Sequence, residues 1–557
     1  MRKMKKALAA ILTAAMTAGM LAAPAMAEEV KSTPDWDGYD ALIEQARVET
    51  DAEARDQLLH EAETMLMETG AAIPLYYYND VFMLNPNLKG FYVDEMNTKY
   101  MMYISGVDTL RVQIGSEPTT TDPQLVSASD LITFVNHTTV GLITKDENGE
   151  FVPALAEALP EVSEDGLTYT FKLKEGLKWS DGSDLTAADF VYSWNRAAAD
   201  ETAADYQAFF TDYLATNDDG SLKMEVEDDN LTFSITLKAP CGYFIDLVAF
   251  STYRPVQQAA VEAAEGWETN PGAWATEAGY VTNGAFTMTA WSHGESMVLE
   301  KNPYFYNADK VSIQKIEVML TDDDVAAFSA FNSGDIDFCD SIPVDEIPGA
   351  MEREDFRKID SLGPYYISWS VISPLFDGKT AEQASAMRRA IGLLIDREWI
   401  VEKCAQAGQT PASSFVPNVM YKTDYDYPVD NGEYGKGYFS ITDLDANREE
   451  AIELLKFAGY EFTDDGMLSP DTPLTLNYLT NQTTGHIATA EAIQQDLAAV
   501  GIEMTIEVED WNVFLEDRKN GNYDVGRNGW TADYNDPINL LEIFTSNNNN
   551  NSCQLGQ

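Results

Sequence analysis

The sequence is poor in the residues that most often carry chemistry. Its 557 residues include four histidines (His60, His137, His293 and His486) and four cysteines (Cys241, Cys339, Cys404 and Cys553). No histidine stands in an HExxH or other metal-ligand spacing, and no two cysteines form a CxxC pair. A GxSxG elbow and a phosphate-cradling glycine loop are both absent. The acidic runs Thr321-Asp322-Asp323-Asp324 and Asn217-Asp218-Asp219-Gly220 lack the ordered oxygen spacing of a calcium loop and read as solvated loops. These absences point away from hydrolases, nucleotide enzymes and metalloenzymes, and neither a cofactor nor a metal is expected. His60 falls in a helical pattern and His293 beside a hairpin turn, so both are expected at the surface. The cysteines are far apart, and a disulfide and free buried thiols remain equally open. Positive charge is scarce too: 36 basic residues face 92 acidic ones, a formal net charge of −56. Such a surface repels nucleic acid and anionic lipid.

Residues 1–27 read as an export signal. Arg2, Lys3, Lys5 and Lys6 form a charged front, Ala7 to Leu21 an apolar core, and Ala25-Met26-Ala27 a small-x-small cleavage site. The apolar run is short and rich in Ala and Thr, and no later stretch approaches the length of a membrane span. No cysteine stands at the cleavage site to take a lipid. The mature protein is therefore expected to be extracytoplasmic, periplasmic or otherwise secreted, without membrane insertion. The 45% hydrophobic and 11% aromatic content is that of a folded protein. The length exceeds what one core supports, so two or three lobes are expected. No period of 20 to 50 residues recurs, which excludes a solenoid.

The most informative stretch runs from Trp511 to Phe544. Arg518 and Arg527 lie nine residues apart, and Asp533 follows the turn Gly529-Trp530-Thr531-Ala532. Tyr523 to Trp530 alternates loosely, as a strand does, and Gly529-Trp530 would let a ligand backbone come close. One carboxylate and two guanidiniums suit a molecule that is positive at one end and negative at the other, as a free peptide is. Arg518 alone could equally be an ordinary surface charge.

This segment resembles the ligand-binding hinge of the oligopeptide-binding proteins, the receptors of peptide ABC importers. The shared pattern is Trp, six residues, Arg, eight residues, Arg, two residues, Trp, one residue, then Ala-Asp-Tyr, which Trp511, Arg518, Arg527, Trp530, Ala532, Asp533 and Tyr534 match. The resemblance implies that Asp533 meets the peptide α-ammonium. It implies that Arg518 and Arg527 meet the C-terminal carboxylates of peptides of different length, and that Trp511 and Trp530 line side-chain pockets; Gly529 and Thr531, on either side of Trp530, are expected at the ligand as well. Further landmarks are Glu164 to Arg196, with its Trp179-Ser180-Asp181-Gly182 turn and a helix capped by Thr186, Val281 to Lys310, Gly334 to Asp337 and Ala386 to Arg397. By the same resemblance Glu117 sits where a strand pairs with the peptide backbone. Tyr206 matches a pocket tyrosine more loosely and could equally be a packed aromatic.

The order of segments departs from the family. Residues 28–105 carry two amphipathic helices (Asp40 to Thr69, buried face Leu42, Ile43, Ala46, Leu58, Leu59, Ala62, Met65 and Leu66) and a strand at Ile73 to Tyr78. That pattern resembles the family's C-terminal end, whereas Leu110 onward resembles its mature start. A circular permutation accounts for this, with old termini joined near Ser105 to Thr109 and a new break between Gln557 and Ser32 in an exposed Asn-rich tip; a scrambled gene assembly would give the same order. The fold expected is α/β: a two-lobed, type II periplasmic-binding-protein fold of the large peptide-binding class with an extra third domain. The expected parts are 28–78 (part of lobe III), 79–129 (part of lobe I), 130–253 (domain II), 254–362 (part of lobe I) and 363–557 (lobe III). The resemblance implies a monomer that binds short peptides and docks on membrane permease subunits of an importer. Other solutes (dipeptides, nickel complexes, oligosaccharides) and a secreted chaperone-like role remain the alternatives.

Overall fold

The computed structural model describes residues 31–94, 97–115 and 117–557; the expected export signal lies outside the described residues. Helices α1 (Asp37–Val48) and α2 (Ala52–Thr69) open the described chain. Asp51 caps α2 by accepting the Ala54 N–H at 2.9 Å, which satisfies one of the free donors of the first turn. Ile43, Ala46, Leu59, Ala62 and Leu66 are buried, as their helical spacing predicts.

A mixed sheet of eleven strands forms the frame. Its strands are β1 (Ala72–Leu84), β2 (Thr109–Ile114), β3 (Phe286–Ser292), β4 (Ser296–Lys301), β5 (Lys315–Leu320), β6 (Phe338–Cys339), β7 (Phe356–Trp369), β8 (Thr475–Asn481), β9 (Glu503–Glu509) and β10 (Val525–Gly529). They lie in the order β3-β4-β5-β2-β6-β1-β7-β10-β8-β9, with Thr410–Pro411 pairing on β1. Helices α3 (Ala381–Leu393) and α4 (Thr484–Ala498) cover one side of its far half, and α5 (Trp511–Lys519) leads into β10. A separate four-stranded sheet is built from residues 161–162, 168–172, 232–236 and 224–226. Beside it the Trp179 turn closes through Gly182 N–H to Trp179 O (2.9 Å), and the Thr186 N–H donates to the Asp189 carboxylate (2.8 Å) at the next helix start.

Two long antiparallel strands, β1 and β7, run from one lobe into the other. Ile73, Leu75 and Tyr76 of β1 pack with Ile391, Leu476 and Ile493. Phe82 and Leu84, at the other end of the same strand, pack with Leu110, Val112, Met297 and Leu299. The strand thus crosses to the lobe built from Leu110 and Val281 to Leu299, as the sequence suggests. The helices cover the face of the sheet opposite the one that Ile391 and Ile493 cover. Alternation along β7 explains it: Tyr365 and Ile367 face the α3–α4 core, whereas Tyr366 faces α1 and α2. Contact with α3 is confined to an edge, where the Arg388 Nε donates to Thr69 O at 2.9 Å.

Residues 36–70 have no core of their own. Their apolar faces merge with Ile538, Leu541, Phe544 and Leu555, and through these with Phe210 and Tyr213. The Trp36 indole donates to Phe544 O and the Tyr39 hydroxyl to Leu541 O, both at 2.7 Å. Arg55 pairs with both oxygens of Asp536 (2.8 and 2.9 Å), and Arg47 bridges Glu542 (3.0 Å) and Asp212 (2.6 Å).

Two local expectations change, and one left open is settled. The Asn-rich tip is not an exposed loop: Asn548, Asn551, Ser552, Cys553 and Leu555 are buried. Their amides satisfy carbonyls that would otherwise be stranded, as when Asn551 Nδ2 donates to Leu555 O (2.7 Å). His60 is buried rather than at the surface, stacked between Tyr421 (3.7 Å) and Tyr425 (4.1 Å), whereas His293 is exposed as expected. All four cysteines are free and buried.

Candidate functional site

A cavity of about 430 Å³ opens between the lobes, walled by β1, α5, β10, the turn after β10 and residues 127–136 and 246–254. Strand pairing fixes its floor. β10 runs antiparallel to β7, with Gly529 opposite Tyr365 and Arg527 opposite Ile367. Beyond the strand the ladder continues, as Trp530 N–H donates to Pro364 O (3.2 Å) and Ala532 N–H to Leu362 O (2.7 Å). Gly363 allows this approach, because a Cβ there would lie 1.8 Å from Trp530 O. Gly529 is needed for a reason other than the one its sequence suggests. A Cβ would fall 2.1 Å from the Tyr78 hydroxyl, so the space is taken by a side chain of the protein itself.

Asp533 is held by two neutral donors. Tyr206 donates its hydroxyl to Oδ1 and Asn539 its Nδ2 to Oδ2, each at 3.1 Å, while the Asp533 N–H donates to Asn539 Oδ1 at 2.8 Å. Among the described residues no cation pairs with it. Desolvation pushes its carboxyl up to about 7, and the two hydrogen bonds oppose that rise.

The guanidiniums are likewise without counter-ions among the described residues. Arg527 is buried, donates Nε to Asn481 Oδ1 (3.0 Å), and lies 5.0 Å from the Trp511 ring and 4.9 Å from the Phe514 ring. Arg518, the penultimate residue of α5, sits 5.3 Å from the Phe514 ring and leaves its Nε without a partner. Burial and the neighbouring Arg527 lower the pKa of Arg518. The same two causes hold His486 well below the usual histidine range, so that it stays neutral beside them. Aromatic faces partly stabilise such cations but supply no hydrogen-bond acceptor.

Trp511, Arg518, Arg527, Gly529, Trp530, Thr531, Asp533 and Tyr206 therefore all line one cavity. Glu117 does not. Its carboxylate meets His293 Nδ1 (2.5 Å) and the Gly294 N–H (2.8 Å), and its carbonyl accepts from Asn512 Nδ2 (2.8 Å), so it ties a hairpin to the start of α5. Sequence reasoning missed Tyr78, Asn481, His486 and Asn539, which touch or surround the charged groups. Asn539 alone carried a local signal, six residues after Asp533; the rest come from remote elements. Chemically, a carboxylate and two guanidiniums buried in one cavity suit a ligand that brings a cation and an anion of its own, since exclusion of water strengthens such pairs. Among the described residues no group of three His, Cys, Asp or Glu could hold a metal, and no helix is long and apolar enough to cross a membrane.

A mixed sheet spanning two lobes over a charged, solute-sized cavity defines a binding protein. The chain belongs to the bacterial extracellular solute-binding proteins, family 5, whose middle-region model matches residues 150–552. It is 30% identical over 460 residues to the oligopeptide-binding protein OppA of Bacillus subtilis, covering 80% of this chain and 79% of that one. Against the periplasmic oligopeptide-binding protein OppA of Salmonella typhimurium it is 30% identical over 453 residues, 79% and 77% of the two chains. Among solved structures it is similar to the murein tripeptide binding protein MppA of Escherichia coli (27% identity, TM-score 0.68, 81% of this chain and 84% of that one). It is also similar to Haemophilus influenzae OppA in complex with RPPGFSPFR (25% identity, TM-score 0.66, 81% and 85%). The family is one of solute-binding proteins rather than of enzymes.

Proposed function

We propose that this chain is an extracytoplasmic receptor that captures short oligopeptides between its lobes and delivers them to the permease subunits of an ABC importer. One observation carries the reading: a carboxylate and two guanidiniums line a single cavity with no counter-ions among the described residues. A buried unpaired charge is costly, and a ligand with free termini supplies both missing partners. Asp533 takes the α-ammonium, and Arg518 and Arg527 take the C-terminal carboxylate at different peptide lengths. Trp511 and Trp530 flank the side chains, and Thr531 and Tyr206 complete the wall. The names of the relatives support peptides over other solutes. An oligosaccharide would leave Asp533 without a cation. Mass spectrometry of ligand retained through native purification tests the class. Calorimetry with acetylated and amidated peptides tests the two ends, and binding that ignores both modifications rejects the reading.

We also propose that the receptor is a monomer released by cleavage after Ala27, with lobe boundaries after residues 78, 129, 253 and 362, and that its segments are circularly permuted. Support for the permutation comes from packing. Residues 36–84 complete both the C-terminal core and the central sheet. Gln557 is connected to α1 through one residue: Gln557 Nε2 donates to Ser546 O (2.6 Å), and Ser546 N–H donates to Asp40 Oδ1 (3.0 Å).

A further inference from the structure

The asparagine run near the C-terminal end has no part in the binding scheme so far, although Asn550 borders the cavity. Its members divide the work. Asn548 and Asn551 fix the run itself, the first donating Nδ2 to Glu542 O (3.1 Å) and accepting the Asn550 N–H at Oδ1 (2.9 Å). The second donates to Thr545 O and Leu555 O (3.3 and 2.7 Å). Asn549 and Asn550 reach outward instead. Asn549 Nδ2 donates to Ala204 O (2.8 Å) and Asn550 Nδ2 to Asp205 O (3.1 Å), two successive carbonyls on one side of a turn. The other side of that turn is held through the Asp205 carboxylate, which takes the Ser127 hydroxyl (2.6 Å) and the Lys519 ammonium. Lys519 is the residue after Arg518 on α5. Tyr206 follows Asp205 directly, with its ring between Phe209 and Phe250 (4.9 and 4.8 Å) and its hydroxyl on Asp533.

We propose that Asn549 and Asn550 are positioning residues for ligand binding: they clamp the Ala204-Asp205 turn so that the Tyr206 hydroxyl stays on the carboxylate of Asp533. The chemistry suits asparagine. A carbonyl needs a donor, a neutral amide on a short stem supplies one, and an aspartate there would repel it. The clamp also joins the two ends of the site, because the turn held by Asn549 and Asn550 is held as well by the helix that carries Arg518. The inference rests on the receptor reading for its effect on affinity, but not for its effect on Asp533.

The test is therefore made twice. In ligand-free protein, carbon-13 NMR follows the titration of the Asp533 carboxyl. Tyr206→Phe removes a donor to the charged form, so the midpoint moves upward from the parent value near 7. Asn549→Ala/Asn550→Ala is expected to move it upward as well, and adding Tyr206→Phe to that pair moves it no further than Tyr206→Phe alone. With a peptide that the parent binds, the asparagine pair loses about tenfold in affinity, the scale of one well-made buried hydrogen bond, again without addition to the tyrosine effect. An unchanged Asp533 midpoint in the asparagine variant, or shifts that add, overturns the proposal and leaves the asparagines as packing. A parent that binds no peptide breaks the receptor reading alone, since the titration still decides the clamp. Should the double variant fail to fold by circular dichroism, Lys519→Met loosens the same turn from its other side and carries the same comparison.

Discussion

Buried charge is handled in opposite ways in two regions of this molecule. At the seam between residues 36–70 and 536–555, each buried charge is matched. Arg55 holds both oxygens of Asp536, and Arg47 lies between Glu542 and Asp212. Glu542 takes further hydrogen bonds from Tyr534 (2.6 Å) and Tyr213 (2.8 Å). In the cavity, Asp533, Arg518 and Arg527 have polar or aromatic neighbours and no opposite charge among the described residues. The contrast holds even within the cavity wall, where the buried Lys99 ammonium sits 2.8 Å from both Asp80 and Asp340. Paired charges act as architecture. Arg388 and Arg397 are also buried without a counter-ion among the described residues, but they donate to backbone carbonyls within the core, whereas the three charges of the cavity border open space.

Mutation of one partner should separate the two regions most sharply. Arg47→Ala leaves Glu542 buried and unmatched, which costs about 3–5 kcal/mol. A urea melt should show that loss, with peptide affinity per folded molecule unchanged. Arg527→Ala should show the reverse, removing a buried cation that has no ion-pair partner among the described residues and leaving stability unchanged or raised. A destabilisation by Arg527→Ala as large as that of Arg47→Ala would erase the distinction.

Asp533→Ala should come next in size, lowering peptide affinity by about 3 kcal/mol, or roughly a hundredfold and more, because the bound α-ammonium is stranded. Calorimetry giving equal affinity for variant and parent rejects the assignment. The pH dependence sharpens it. Asp533 titrates near 7 when folded and near 3.9 when unfolded, so the folded state holds its proton longer. Its stabilising contribution is fully present below about pH 4 and is lost as pH rises through 7. Asp533→Asn removes that loss, so at pH 8 the ligand-free variant should melt above the parent, by a few kcal/mol at most, while binding peptide poorly. Affinity in the parent should rise with pH across the same range, as the carboxylate forms.

The arginines should give smaller, selective effects. Each single substitution is expected to weaken peptides of some lengths about tenfold and to spare others, and C-terminal amidation should weaken the parent in the same way. A uniform loss at all lengths would make the pair a general electrostatic field rather than two length-specific contacts.

What could be read from sequence divides along the same physical line. The spacing from Trp511 to Asp533 was legible because a helix, a strand and a turn adjacent in sequence deliver those side chains to one wall. β1 was legible from its apolar run, although its length, reaching Leu84, was not. Tertiary partners decided the rest. His60 reads as a surface histidine until Tyr421 and Tyr425, some 360 positions away, close over it. Gly529 reads as room for a ligand until Tyr78 arrives from the far end of the chain. Glu117 belongs to a hairpin clasp because His293 and Asn512 reach it from two other segments. The asparagine run resembles a solvated tip, since nothing local reveals that its amides meet the carbonyls of Ala204 and Asp205.

The smallest effect is expected from restoring the order of segments. If residues 32–105 occupy the place of a C-terminal segment, a chain rearranged to begin near Thr109 and to run from Gln557 into Ser32 should fold to the same structure. The connection that is cut, Ser105 to Thr109, is a short surface stretch, and the connection that is made starts from Gln557, which Ser546 already ties to Asp40 of α1. No core contact changes, so the difference lies in loop closure, which varies slowly with loop length and amounts to about 1 kcal/mol. Both sets of buried charges should survive intact: the seam pairs, because α1 and α2 remain beside 536–555, and the open charges of the cavity, because β1, β7 and β10 keep their register. Peptide affinity within about twofold of the parent, a change small beside 1.4 kcal/mol, and a melt within about 1 kcal/mol are the expected outcomes. Loss of folding in the rearranged chain would show that residues 32–105 depend on their present attachment to Thr109, and would remove the permutation while leaving the cavity and its unpaired charges as they are.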